Sequence, residues 1–187
     1  HLLFTLEAGG VTAKATSYSQ PGLRYAAPSE SNQLCAFELE TGILRWQIGG
    51  PEGEYKLPAA GNFFLGVPTV IGDSLYVLGE QAGWVRLFCL EPSTGNVKWV
   101  QPIATASVAV SVEGLRRIGG ISPCSADGLI VCPLTSGLVV GYDAEQQRLA
   151  WISHYRSQVV TQTMARRFSV GPSPVNTIHV DQAERWR

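Results

Sequence analysis

The chain has 187 residues, of which 45% are hydrophobic and 16% are charged, so it is long and apolar enough to bury a substantial core. Its formal net charge of −1 predicts no overall attraction to nucleic acid or to an anionic membrane. No apolar run approaches the roughly 20 residues that cross a bilayer, and the 20 Gly and 11 Pro favour short strands joined by turns over long helices.

The first predicted element is a strand near the start of the chain, and a longer insertion follows it over residues 8–33. This insertion is rich in Gly, Ser and Ala, and we expect it to project from one face of the protein. Tyr18, Arg24 and Tyr25 lie in it and form a candidate ligand loop for a peptide or a glycan. The alternative is that these three residues cover the insertion's own small core.

Three stretches further along the chain align without a gap: residues 36–46, 89–99 and 141–151. Each begins with a small residue, an apolar residue and an acid, and each ends on a tryptophan. These tryptophans are Trp46, Trp99 and Trp151, which are separated by 53 and 52 residues. This pattern predicts two strands joined by a tight turn in every copy.

The turn inside each copy carries its own signal. Thr41-Gly42 and Thr94-Gly95 supply a residue suited to the left-handed region of backbone space in the first two copies. Gln146-Gln147 replaces this pair in the third copy. Because glutamine gains nothing at positive φ, we expect a looser turn there, or one of another geometry.

Two further strands precede each copy. Residues 74–80 match residues 128–134, and both resemble residues 1–7. Before them come residues 66–71 and 120–124, each with a proline near an extended segment, as expected at the edge or start of a strand. Four short antiparallel strands about every 52 residues are the architecture of a β-propeller blade, and a repeated Trp can bridge neighbouring blades while its indole N–H reaches a backbone acceptor.

The motif that runs from a small residue through an acid and Thr-Gly to Trp resembles the PQQ-like (quinoprotein-type) β-propeller repeat. Quinoprotein dehydrogenases share this repeat with non-catalytic propellers such as the outer-membrane assembly lipoprotein. Residues 85–91 are also similar to stretches of large uncharacterised bacterial repeat proteins. The resemblance implies a propeller fold, and it suggests a bacterial protein that is periplasmic, secreted or in the cell envelope, although the sequence leaves the location open.

The predicted fold class is therefore an all-β, partial β-propeller of about three to four blades in an incomplete ring. The predicted blade boundaries are residues 1–50 for a partial first blade, 51–103, 104–155, and 156–187 for the start of a fourth. Residues 108–112 could add a strand between the second and third blades. Because the chain begins with a residue other than Met, we interpret it as an excerpt from a longer polypeptide.

The four cysteines show no CxxC pair and no zinc-ligand spacing. Cys124 and Cys132 flank an Asp127-Gly128 turn signal, which raises the question of a hairpin disulfide. A two-residue turn would place Cys124 opposite Val131 and point Cys132 to the other face, so no bridge is expected. We predict that Cys35, Cys89, Cys124 and Cys132 are buried, reduced thiols.

Other residues with chemical potential have simple structural interpretations. The acids Glu38, Glu91 and Asp143 precede equivalent turns, so turn capping or solvent exposure accounts for them better than a ring of carboxylates. The pairs Arg116-Arg117 and Arg166-Arg167 are interpreted as solvated loop arginines. The histidines are dispersed and match no metal motif; they are His1, His154 and His179.

No catalytic, cofactor-binding or metal-binding residue is assigned from the sequence, and no cofactor is expected. The leading hypothesis is a non-catalytic propeller segment that serves as a rigid scaffold, whose partners are the remaining blades and a protein or peptide. The alternative is a fragment of a PQQ-dependent dehydrogenase, to which the resemblance would add PQQ, a calcium-type metal and an adjacent-cysteine disulfide. The chain contains no Cys-Cys pair.

Overall fold

The computed structural model describes most of the first 155 residues, in the following ranges: 1–8, 30–53, 57–113, 116–117, 119–135 and 137–155. Its twelve strands are β1 (Leu2–Ala8), β2 (Asn32–Glu38), β3 (Leu44–Gly49), β4 (Phe63–Phe64), β5 (Thr69–Ile71), β6 (Ser74–Gln81), β7 (Trp84–Leu90), β8 (Val97–Thr105), β9 (Cys124–Ala126), β10 (Leu129–Leu134), β11 (Leu138–Asp143) and β12 (Arg148–His154). The candidate ligand loop and the predicted start of a fourth blade lie outside the described residues.

The strands form three antiparallel sheets that follow one another along the chain. The first sheet is β1-β2-β3, the second is β4-β6-β7-β8 with β5 also paired to β6, and the third is β9-β10-β11-β12. None of the three closes on itself. The expected fold class is confirmed: the chain is all-β and forms a partial β-propeller, in which each sheet is a blade.

Two apolar cores hold the sheets face to face. The core between the first and second sheets contains residues of both, including Leu34, Ala36 and Ile48 from one and Leu75 and Val77 from the other. The core between the second and third sheets is built in the same way; it includes Leu78, Leu87, Cys89, Ile130, Cys132, Val140 and Tyr142. Because side chains alternate along a strand, the second sheet contributes one face to each core.

The small residue that begins each repeat lies opposite the tryptophan that ends it. The three cross-strand pairs are Ala36 with Trp46, Cys89 with Trp99, and Gly141 with Trp151. In every sheet the register shifts immediately after this pair, so the residue before each tryptophan forms a bulge. The small side chain leaves room for the indole ring, and a Cβ on Gly141 would come within 2.3 Å of the Trp151 ring.

The third repeat turn differs from its sequence-based expectation. Gln147 has a φ of 50°, in the same left-handed region as Gly42 at 68° and Gly95 at 73°. Gln147 thus takes a left-handed conformation that glutamine was not expected to adopt. The turn is still looser in one respect, because the backbone bonds of 2.8 Å from Gly42 to Glu38 and from Gly95 to Glu91 have no counterpart from Gln147 among the described contacts. The carboxylate of Asp143 accepts hydrogen bonds from the backbone N–H groups of Glu145 and Gln146, and these bonds help to hold a glutamine in a strained conformation.

The strand pairing also corrects the sequence alignment of the second blade. Tyr76 pairs with Cys89 in the second sheet, and Val131 pairs with Gly141 in the third, so Tyr76 and Val131 are equivalent. The sequence match instead placed Tyr76 beside Ile130, one residue away. A shift of one residue reverses which face each side chain occupies, and the continuous apolar runs of both strands (residues 75–78 and 129–132) disguise it.

The hairpin that contains the Asp127-Gly128 turn has the predicted register, with Cys124 opposite Val131. All four cysteines are free, and three of them are buried as expected. Cys124 is exposed, so the prediction of burial is wrong for this residue. It lies on β9, an edge strand whose residues are all exposed, where nothing in the described residues covers its side chain.

The segment between the second and third sheets contains another two corrections. Residues 108–112 form bends and turns instead of a strand, and the side chain of Val110 is buried in the second core. Arg116 is only 7% exposed and therefore is not the solvated loop arginine that the sequence suggested. Its guanidinium forms the polar network described below.

Candidate functional site

The tryptophan of the first repeat packs against the turn between two strands of the second sheet. Its indole Nε1 donates a hydrogen bond to the carbonyl oxygen of Pro92, 2.9 Å away. The ring covers the turn at Gly95, where an added Cβ would lie 2.6 Å from a ring atom of Trp46. Phe4 also packs against the indole, and the centroids of the two rings are 5.7 Å apart. This arrangement leaves Trp46 only 9% exposed and ties the first sheet to the second.

The other two tryptophans occupy the same sheet position with different neighbours. Trp99 is half-buried, and its ring centroid lies 5.5 Å from that of Tyr142 in the third sheet and 5.9 Å from that of Tyr76 in its own. Trp151 packs over Gly141 within its own sheet and remains 41% exposed. Trp46 is therefore the most buried of the three tryptophans and Trp151 the most exposed.

The three acids stay within their own turns and do not converge. Glu38 accepts a hydrogen bond of 2.7 Å from the Thr41 hydroxyl, and Asp143 caps its turn through backbone N–H groups. Glu91 forms an ion pair of 3.1 Å with Lys98, and this partner lowers the pKa of its carboxyl below the ordinary value. These residues shape the turns, and their separation offers no shared site to a substrate.

An asparagine forms the second polar link between the first two sheets. Asn32, at the start of β2, is 5% exposed. Its Nδ2 donates to the carbonyl oxygen of Phe64 at 2.8 Å, and its Oδ1 accepts from the N–H of Phe64 at 2.6 Å. One amide side chain thus satisfies both backbone groups of a residue in β4. The only sequence signal is a polar residue at the start of an apolar strand, which is too common to identify such a link.

A buried ion pair anchors the segment that connects the second and third sheets. Glu80 of β6 is 1% exposed; its carboxylate binds the guanidinium of Arg116 and accepts the N–H of Val110 at 2.7 Å. Arg116 also donates to the carbonyl oxygen of Val108 at 2.7 Å and to the hydroxyl of Thr135 at 3.4 Å. The network joins the second sheet, the connecting segment and the third sheet through charge-assisted hydrogen bonds.

A cavity of about 550 Å³ lies beside the described end of the residue 8–33 insertion. Glu30 and Ser31, which follow the undescribed part of that insertion, line it together with Glu52, Glu80 and Gln81. The cavity falls in the size range of ligand pockets and is rich in acidic side chains. Arg116 already neutralises Glu80, and Glu52 accepts a hydrogen bond from Gln81 at 2.9 Å.

A second groove of about 580 Å³ lies along the outer part of the second sheet. Phe88 lines it, with Val97, Val100 and Arg86. The buried Oδ1 of Asn62, which also lines it, has no hydrogen-bond partner among the described residues. This groove is more apolar than the cavity described above and offers fewer charged groups.

The described residues offer little to a metal or a quinone. No group of three His, Cys, Asp or Glu in the described ranges could hold a metal ion. Burial raises the pKa of the Cys132 thiol and of the Tyr76 hydroxyl to about 12 each, so both keep their protons at neutral pH.

Within the described part of the chain, no helix is long and apolar enough to span a membrane.

Comparison with known families gives a match that covers most of the chain. The family described as outer membrane protein assembly factor BamB matches residues 11–170 of the chain, which is most of its length. The match includes all three tryptophan repeats. No match to the curated protein sequences is significant.

Solved structures with a similar fold include BamB from Moraxella catarrhalis, which is 16% identical with a TM-score of 0.45 and covers 65% of this chain and 34% of that one. A europium-containing methanol dehydrogenase is 16% identical with a TM-score of 0.41 over 71% of this chain and 31% of that one. The quinohemoprotein alcohol dehydrogenase from Comamonas testosteroni is 20% identical with a TM-score of 0.40, over 69% of this chain and 18% of that one. The chain spans about a third or less of the length of these structures.

Proposed function

Because the chain belongs to the family of the outer membrane protein assembly factor BamB, we propose that it is part of a non-catalytic β-propeller that serves as a rigid scaffold for protein interaction. The observation that carries this proposal is the position of its most distinctive side chains. Trp46 and Asn32 bind the next sheet, and the repeated acids bind their own turns. These groups hold the blades together and are not free to act on a substrate.

Rigidity is the property that a scaffold needs, and both junctions support it. The first junction combines an apolar core with the indole bond of Trp46 and the two amide bonds of Asn32. The second combines a larger core with the Glu80–Arg116 network. Surfaces carried by such sheets keep a fixed spacing, so a partner can bind them with little loss of conformational entropy in the scaffold.

The partners we propose are the remaining blades of the parent protein and a protein or peptide that binds the insertion face. Glu30 and Ser31, the described end of the residue 8–33 insertion, line the acidic cavity, and the same insertion contains the proposed ligand residues Tyr18, Arg24 and Tyr25. The family description supports a location in the envelope of a bacterium. Loops on a rigid framework are the usual place for such a binding surface.

The alternative function is that of a PQQ-dependent dehydrogenase. The carboxylates of the cavity do not fit a calcium and quinone site, because Glu80 is bound to Arg116 and Glu52 is bound to Gln81. The free cysteines are not adjacent in sequence, so they cannot form the vicinal disulfide that the resemblance would require. We therefore propose that this part of the protein binds neither PQQ nor calcium.

The test mixes the whole protein with PQQ and calcium, then records the quinone absorbance of the washed protein and the reduction of an artificial electron acceptor. The scaffold proposal predicts neither retained quinone nor dye reduction with a panel of alcohols. Stoichiometric quinone binding with turnover would overturn it.

The interaction half of the proposal has a separate test. Alanine substitution of Tyr18, Arg24 or Tyr25 is expected to weaken the binding of a peptide or glycan from a candidate panel while the melting temperature stays the same. A melting temperature that falls with every substitution would show instead that these residues cover the insertion's own core.

A further inference from the structure

The acidic cavity and the groove on the second sheet share two lining residues, Glu52 and Gln81. The Nε2 of Gln81 donates a hydrogen bond of 2.9 Å to the carboxylate of Glu52, and its Oε1 accepts one of 2.9 Å from the guanidinium of Arg86. A hydrogen-bonded bridge of side chains therefore forms part of the wall of both spaces. Because the two spaces adjoin at this bridge, one extended ligand can occupy both.

The cavity carries negative charge that no described residue neutralises. Three carboxylates line it, and that of Glu80 is paired with Arg116. Glu52 bonds to the neutral amide of Gln81, and neither Glu52 nor Glu30 takes part in an ion pair among the described residues. The described lining contains no Lys or Arg. The cavity is therefore complementary to a positively charged group.

The groove continues the apolar face of the second sheet beyond the part that the first sheet covers. Phe88 pairs with Val100 across β7 and β8, and Leu90 pairs with Val97, so these four side chains share one face. Phe88 and Leu90 are buried in the core between the first two sheets. Val97 and Val100 are 38% and 39% exposed. An apolar side chain of a ligand can extend this core by packing on the two valines.

A buried acceptor lies in the wall of the groove. Asn62 is 4% exposed, and its Nδ2 donates a hydrogen bond of 2.9 Å to the carbonyl oxygen of Ala59, which fixes the orientation of the amide. Its Oδ1 has no hydrogen-bond partner among the described residues. Because a buried acceptor without a donor costs free energy, a ligand that supplies an N–H group at this wall is favoured.

We propose that the cavity and the groove together bind one extended peptide segment, with a Lys or Arg side chain beside Glu30 and Glu52 and an apolar side chain on Val97 and Val100. A peptide meets all the requirements, because it carries basic and apolar side chains close together and has backbone N–H groups for Asn62. The inference rests on the proposed scaffold function and deepens it, since it gives the peptide partner a chemistry: a basic residue next to apolar ones.

The first experiment compares three peptides. Fluorescence anisotropy measures the binding of a labelled Gly-Lys-Gly-Val-Val-Gly peptide to the unmodified chain at low salt. One comparison peptide has Glu in place of Lys, and the other has Ser in place of both Val. We expect the first replacement to weaken binding about tenfold or more and the second about threefold or more. Equal affinities for the three peptides, or no binding at millimolar concentration, would overturn the inference.

The second experiment locates the basic side chain. Glu52→Gln removes the charge but keeps an amide oxygen that can accept the hydrogen bond of Gln81. We expect it to weaken the Lys peptide about 5- to 10-fold. Glu40→Gln is the matched control, because Glu40 is an exposed acid in the turn of the first repeat, and it is expected to leave the affinity unchanged.

The third experiment locates the apolar side chain. Val100→Thr keeps the shape of the side chain but adds a hydroxyl, and we expect it to weaken the Lys peptide about threefold. Val70→Thr is the matched control, because Val70 lies on β5 outside the groove and is 54% exposed. It is expected to leave the affinity unchanged.

A Lys peptide that binds equally well to Glu52→Gln, Val100→Thr and the unmodified chain would overturn the inference, because the peptide would then lie elsewhere. This outcome leaves the scaffold proposal standing. The scaffold proposal fails on a different result, which is quinone binding with turnover.

Discussion

The indole Nε1 of Trp46 donates a hydrogen bond to the carbonyl oxygen of Pro92 in the next sheet, across 2.9 Å. Pro92 lies in the turn of the second repeat, beside the acid and the glycine that identify the repeat in the sequence. The residues that end one repeat and turn the next are therefore in contact. At the first junction, the residue that ends one repeat thus packs on the turn of the next.

Two substitutions of Trp46 separate the contribution of its hydrogen bond from that of its ring packing. Trp46→Phe keeps an aromatic ring but leaves the Pro92 carbonyl without its donor, at a cost of about 1 kcal/mol. Trp46→Ala also removes the packing against Phe4 and the second sheet, for a total of about 3 to 5 kcal/mol. Urea unfolding followed by circular dichroism measures both losses of stability. An unchanged midpoint for Trp46→Ala would contradict the packing of Trp46 against the second sheet.

Replacement of Asn32 is expected to weaken the first junction. Asn32→Leu leaves the buried N–H and C=O of Phe64 without partners, and we expect the free energy of unfolding to fall by about 2 to 4 kcal/mol. Asn96→Leu is the matched control, because Asn96 is exposed and no hydrogen bond involves its side chain among the described contacts. Equal losses in the two variants would show that the amide link contributes nothing specific.

Arg116→Met is expected to cost about 3 to 5 kcal/mol, because it leaves the Glu80 carboxylate buried and without its cation. The double variant Arg116→Met with Glu80→Met is expected to recover much of this loss, since no uncompensated charge remains. Chemical denaturation of the single and double variants gives the coupling energy. Additive losses would contradict the ion-pair account. Arg117→Met, which removes a guanidinium 5.5 Å from the Phe63 ring and outside the ion pair, is the neighbouring control and is expected to cost much less.

The buried Cys132 thiol gives the chain a stability that depends on alkaline pH. Burial raises the pKa of this thiol from 9.0 to about 12. Below pH 9 both the folded and the unfolded chain hold the proton, and between 9 and 12 only the folded chain does. Stability is therefore complete below pH 9 and falls as the pH rises, with a contribution of up to about 1.4 kcal/mol per pH unit.

The measurement is the free energy of unfolding of Cys132→Ala across this pH range, under reducing conditions. The variant is expected to show a shallower alkaline decline than the unchanged chain, whereas Cys124→Ala, which removes only the smaller, charge-based cause of the raised pKa, keeps most of the slope. Tyr76, whose pKa burial raises from 10.0 to about 12, leaves a residual slope in both. Identical slopes in all three proteins would contradict the burial of Cys132.

Sequence reasoning identified the parts of the fold that depend on local chemistry. The Asp127-Gly128 hairpin follows from backbone preferences, and the repeat that ends at Trp46 is specific enough to align without a gap. The register of β6 was wrong by one residue because residues 75–78 are all apolar and buried, so either register puts apolar side chains on both faces. The left-handed Gln147 was also missed, since tertiary contacts and the Asp143 cap override its intrinsic preference.

The links between blades could not be predicted from the sequence. Asn32 meets Phe64, and Glu80 meets Arg116, across separations of 32 and 36 residues. No local pattern marks such pairs, because only the stacking of the sheets brings them together. The acidic cavity likewise combines residues from four separate loops.

The central claim is that Trp46, which ends the first repeat, lies on the Gly95 turn of the second. Gly42 and Gly95 provide a matched pair, because both have positive φ, at 68° and 73°, but only a Cβ at Gly95 would meet an indole ring. Gly42→Ala is expected to cost about 1 to 2 kcal/mol for backbone strain alone. Gly95→Ala is expected to cost about 1 to 3 kcal/mol more, because its methyl group displaces Trp46.

The deciding measurement is the difference between the unfolding free energies of Gly95→Ala and Gly42→Ala in the same chain. A clearly larger loss for Gly95→Ala is the predicted result. Equal losses for the two variants would contradict the stacking of the blades through their tryptophans.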